Sequence, residues 1–83
     1  MVYDINVKRV NKVLNIGRKY LVWVQNSVFE GELSAAEFKK LKLELSKIID
    51  ENEDSIIFYT FRTTKYSSRE VLGADKGGLN LIL

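Results

Sequence analysis

Apolar residues recur at Val7, Val10, Val13, Leu14 and Leu21, with Gly17 on the same line. That spacing predicts a helix from about Val7 to Tyr20, with Lys8, Arg9 and Lys12 on its other faces. Asn6 stands where it can cap the helix. Ahead of it, residues 1–4 read as a short strand that Asp4 closes. The run "VWVQNSVFEGEL" is rich in β-branched and aromatic residues, and Asn26-Ser27 breaks it. It predicts two short strands in a hairpin whose register shifts at the break. Ser34 followed by Glu37 is a capping box. Behind it Phe38, Leu41, Leu45, Ile48 and Ile49 form an apolar stripe, predicting a second helix over about Ala35 to Asp50. "ENED" reads as a polar turn, "SIIFYTF" as a strand over Ser55 to Phe61, "RTTKYSS" as a loop and "REVLG" as a further short strand. The tail "ADKGGLNLIL" is rich in glycine yet carries Leu79, Leu81, Ile82 and Leu83. Such residues are expected to dock on this domain, on a second copy or on a partner.

The order strand, helix, strand, strand, helix, strand is the split βαβ pattern of a ferredoxin-like α+β fold. It predicts one domain over residues 1–83, with an antiparallel sheet, both helices on one face, and the first and third strands in the middle. The other face and the edges of such a sheet favour a partner.

Composition narrows the chemistry. At 83 residues the chain holds one core, and burial is marginal enough that association is expected. The chain has neither cysteine nor histidine. That excludes disulfides, thiolate or imidazole metal sites, and His-assisted nucleophiles. The missing cysteines fit a reducing cytoplasm. Any reaction must use carboxylates, hydroxyls, Lys, Arg or a metal held by oxygen. No apolar run is long enough to cross a membrane. The net charge of +2 hides an asymmetry: Ile5 to Phe29 holds five basic residues (Lys8, Arg9, Lys12, Arg18, Lys19) and no acid. A basic segment attracts phosphate, although a solvated helix face explains the same charges.

Asp4 stands where the first strand turns into the basic helix. Locally it reads as a turn or cap residue. It can also offer oxygen to a hard divalent cation, and because one carboxylate is rarely enough, a two-fold dimer would bring two copies to one ion. Tyr3, Trp23, Phe29, Phe58, Tyr59 and Phe61 read as core, with base stacking on the sheet as the functional alternative. Ser27 and Ser34 have no base to activate them, and "GADKGG" lacks the spacing of a phosphate loop.

Taken together, "VYDI", the basic helix, "VQNSVFEGEL", the capped helix, "IIFYTFR" and "REVLG" resemble the CRISPR-associated protein two family over nearly the whole chain. The resemblance implies a ferredoxin-like homodimer in which Asp4 faces its two-fold mate and holds Mg2+ or Mn2+ as the catalytic metal ligand. It implies a metal-dependent endonuclease acting on single-stranded RNA or double-stranded DNA. Alternatively it implies a non-catalytic adaptor that bridges the CRISPR integrase on spacer DNA. By the same resemblance Tyr3, Ser27 and Phe29 shape the cleft, Lys8, Arg9 and Lys12 contact the nucleic-acid backbone, and about residues 69–83 cross to the other protomer. Members usually carry several more apolar residues before "VYDI"; here only Met1 and Val2 precede Tyr3. A central strand of about four residues spans about 13 Å and leaves part of its neighbours without it.

Overall fold

The computed structural model describes residues 1–62 and 65–75. The elements are β1 (Val2–Asp4), α1 (Val7–Tyr20), β2 (Val22–Gln25), β3 (Val28–Glu30), α2 (Ala35–Ser46), β4 (Ser55–Arg62) and β5 (Lys65–Gly73). They form one antiparallel sheet in the order β2-β3-β1-β4-β5, the ferredoxin-like arrangement with one strand added at the β4 edge. Tyr3, Val13, Phe29, Leu41, Leu45, Ile56 and Phe58 make the core between the sheet and the two helices.

The caps are those the sequence announces. The Asn6 side chain accepts from the Lys8 N–H at 2.9 Å. Ser34 and Glu37 bond reciprocally, at 3.1 and 2.9 Å. Gly17 is where α1 meets the sheet: a Cβ there would stand 3.0–3.2 Å from three ring atoms of Phe29. The glycine therefore lets the helix approach the sheet closely, at the expense of helix propensity. Val7 departs from its expected stripe. It lies in the first turn and is 81% exposed.

α2 ends at Ser46 rather than near Asp50. In a longer helix the Asp50 N–H would bond the carbonyl of Ser46. It donates instead to the Asp54 carboxylate at 2.8 Å, while the amides of Glu53 and Asp54 return to the Asp50 carbonyl. The chain thus closes a separate turn before β4.

The segments expected as a loop and a short strand are instead β5, nine residues long and antiparallel to β4 of its own chain. Arg69 to Gly73 is used within the chain, and the tail from residue 76 lies outside the described residues. Gly73 closes β5 at φ +81°. A Cβ there would fall 2.2 Å from the Asp54 carbonyl oxygen, which accepts from the Ala74 N–H at 2.9 Å.

β1 is as short as the sequence indicates. It meets β4 only over Ser55–Ile57, although β4 runs on to Arg62. Beyond Met1 a groove of about 1310 Å³ opens between β3 and β4, lined in part by Leu21, Leu33, Phe38 and Phe58. The terminal ammonium of Met1 sits at its end and donates to the Phe29 carbonyl at 2.7 Å. Burial lowers the pKa of that amine.

Candidate functional site

Alternation along β1 separates its residues by face. Tyr3 points into the core and is 8% exposed. Its N–H donates to the Ser27 carbonyl at 3.0 Å, its hydroxyl to the Asn26 carbonyl at 3.2 Å, and its ring lies 5.8 Å from that of Phe29. Asp4 follows on the opposite face, exposed and in register with Ser55. Beside it on the β3 side is the Asn26-Ser27 turn, where Asn26 adopts φ +44°. Asn and Asp tolerate that left-handed backbone better than other side chains.

This places the expected residues unequally. Tyr3 and Phe29 are buried in the core and support the strand from beneath, and Phe29 also borders the groove between β3 and β4. Ser27 does lie next to the strand that presents Asp4, through its backbone. Lys8 and Lys12 are exposed on α1 one helical turn apart, where they can meet phosphate. Arg9 is committed elsewhere. Its Nε donates to Asp54 Oδ2 at 2.6 Å, and its Nη2 donates to Glu53 at 2.8 Å and to Asp54 Oδ1 at 3.1 Å. Of the aromatics, Tyr3, Phe29 and Phe58 are core, while Trp23 and Phe61 are exposed. The Trp23 indole is tethered to the Asn26 carbonyl at 2.9 Å.

Asp54 is the residue that pattern reading missed. It was one acid among three in "ENED". In the fold it is wholly buried and accepts from Arg9, Asn6 and Asp50. The Arg9 hydrogen bonds hold its pKa down, to about 2, with the two backbone N–H groups adding to the effect and burial opposing it. The same ion pair raises the pKa of Arg9. The only local signal was an acid directly before a strand; its partner lies 45 positions away.

Among the described residues no three acidic side chains gather into a metal cage. The chemistry of Asp4 suits a hard cation, which prefers carboxylate oxygen. A cation at Asp4 would need its remaining ligands from water, nucleic acid or a second copy. The groove beside Met1 is mostly apolar and lies at the other end of β1.

The family model described as "CRISPR associated protein Cas2" matches residues 1–69. This chain belongs to the Cas2 family. A Dictyoglomus turgidum relative, named as a CRISPR-associated endoribonuclease Cas2, is 59% identical over 83 residues, covering 100% of this chain and 95% of the relative. A Thermotoga maritima relative of the same name is 60% identical over 77 residues, covering 93% of this chain and 88% of its own. A solved structure described as a crystal structure of cas2 superposes with a TM-score of 0.72 at 43% identity, over 99% of this chain and 92% of that one. The Cas2 resemblance read from the residues thus holds, as does the ferredoxin-like fold. No described helix is long and apolar enough to cross a membrane.

Proposed function

We propose that this Cas2 chain acts as a homodimeric, metal-dependent endonuclease on single-stranded RNA or double-stranded DNA. The observation that carries the reading is the presentation of Asp4. The strand holding it is anchored by a buried tyrosine, while the carboxylate itself is exposed at the start of the basic helix. Two copies of Asp4 across a two-fold axis would hold one Mg2+ or Mn2+. Such an ion supplies charge stabilisation at a phosphoryl oxygen and an acidified water. Lys8 and Lys12 bind the backbone by charge, without reading bases. The endoribonuclease names of close relatives support the class of reaction.

A second reading rests on the single acidic ligand per chain and the absence of an acidic cluster among the described residues. In that reading the dimer is a non-catalytic adaptor that bridges the CRISPR integrase on spacer DNA. The test is a cleavage assay on RNA and DNA, with and without Mg2+, comparing wild type with Asp4→Ala. Loss of metal-dependent cleavage in the variant supports the nuclease. Equal cleavage by both proteins assigns the activity to a contaminant and leaves the adaptor.

A further inference from the structure

The start of α1 and the start of β4 are tied together by one carboxylate. Asp54 Oδ1 accepts from the Asn6 N–H at 2.8 Å and from Arg9 Nη2 at 3.1 Å. Its Oδ2 accepts from Arg9 Nε at 2.6 Å and from the Asp50 N–H at 2.8 Å. Both oxygens therefore take two donors each, which is the capacity of an ionised carboxylate. Asn6 is gripped further through its side chain, whose Nδ2 donates to Glu53 at 3.1 Å and whose Oδ1 caps α1.

Asp4 is flanked by this clasp. It stands in register with Ser55, the neighbour of Asp54, and lies two residues before Asn6, whose amide Asp54 holds. The turn from Asp4 to Asn6 is thus pinned at one end by strand pairing and at the other by a buried ion pair. β1 itself is only three residues long. A shared metal tolerates displacements of only about 0.5 Å in its ligands.

We infer that Asp54 and Arg9 are positioning residues for Asp4, a clasp that sets the direction of its carboxylate toward the cation. The inference rests on the metal reading proposed above. It also explains why Arg9, in the segment with no acids, is directed at Asp54 and Glu53 instead of at nucleic acid.

A buried ion pair also stabilises a fold, so the test must separate position from stability. Mn2+ binding to the full chain is followed by electron paramagnetic resonance for wild type, Asp4→Ala, Asp54→Asn, Arg9→Lys and Leu41→Val. Each protein is measured at a temperature where circular dichroism shows it folded. Leu41 is a fully buried residue of α2 and serves as the destabilised control. The expected result is that Asp54→Asn and Arg9→Lys weaken Mn2+ binding about ten- to hundred-fold, the range for residues that orient a metal ligand. Leu41→Val should leave it unchanged. Amide hydrogen exchange gives a metal-free readout. Residues 4–6 should exchange at least about tenfold faster in Asp54→Asn, the sign of a locally opened turn, while the middle of α2 is unaffected.

Wild-type Mn2+ affinity in a folded Asp54→Asn protein, or unchanged exchange at residues 4–6, overturns the clasp alone. An equal loss of affinity in Leu41→Val reduces it to a stability effect and overturns it too. Wild-type protein that binds no Mn2+, and so matches Asp4→Ala, overturns the metal reading and the positioning role with it.

Discussion

Gly17 of α1 rests on the ring of Phe29 of β3 so closely that a single added carbon would stand 3.0 Å from Cζ. Phe29 is fully buried. Gly17→Ala therefore sets two effects against each other. Helix propensity favours alanine by about 1 kcal/mol. Overpacking a filled core costs about 1–3 kcal/mol. We expect a net loss of about 1 kcal/mol and a lower melting temperature by circular dichroism. A more stable variant would show that the contact is not rigid.

Gly73 presents a harder limit. At φ +81° a side chain is strained, and its Cβ would overlap the Asp54 carbonyl oxygen at 2.2 Å. That neighbour is backbone and cannot rotate away. Gly73→Ala should destabilise the protein by more than about 2 kcal/mol, the combined effect of backbone strain and a steric clash. Chemical denaturation at 25 °C measures it. A loss within about 0.5 kcal/mol, the range of ordinary surface substitutions, contradicts the geometry.

Asp54 gives stability a pH signature. Its folded pKa of about 2 lies below the ordinary 3.8. A depressed carboxylate pKa means that the unfolded chain takes up the proton first. The contribution is thus fully present above about pH 4 and disappears as pH falls through about 2. Wild type should lose stability across that window, and Asp54→Asn, already weaker at pH 7, should lose less. Parallel acid curves for the two proteins would remove Asp54 as the cause.

Arg9→Ala strands that buried carboxylate with only its two backbone donors. Breaking one side of a buried ion pair costs about 3–5 kcal/mol, and we expect the lower end because those N–H bonds remain. The variant should unfold at clearly lower urea concentration. Lys8→Ala, on an exposed side chain, should leave the urea midpoint in place while weakening nucleic-acid binding equally across sequences.

Chelation distinguishes the two functional readings. EDTA should abolish cleavage by wild type, and Mg2+ should restore it. Nucleic-acid binding should survive EDTA but fall steeply with salt, because phosphate contacts release counterions. Filter binding and a cleavage assay on the same samples separate the two. Cleavage that persists in EDTA excludes metal-dependent hydrolysis as its source.

The sequence by itself determined what local chemistry can determine. Period and caps placed α1 and the start of α2, because the Asn6 and Ser34 caps bond within three residues and the apolar stripes repeat every turn. The Asn26-Ser27 break gave the β2–β3 hairpin and its register shift, since the turn needs a residue that accepts positive φ. The shortness of β1 was also legible, and so was the resemblance that made Asp4 the candidate ligand.

What tertiary structure decided depended on partners far apart in the chain. Nothing near Arg9 shows that its guanidinium goes to Asp54, 45 residues away, rather than to phosphate. Nothing near "REVLG" shows that β5 runs from Lys65 to Gly73 along β4. The burial of Tyr3 and Phe29 follows only once the helices cover one face of the sheet. Hydrophobic spacing reveals which residues prefer burial. It does not reveal which distant group a charge will meet, because that pairing exists only after the chain has folded.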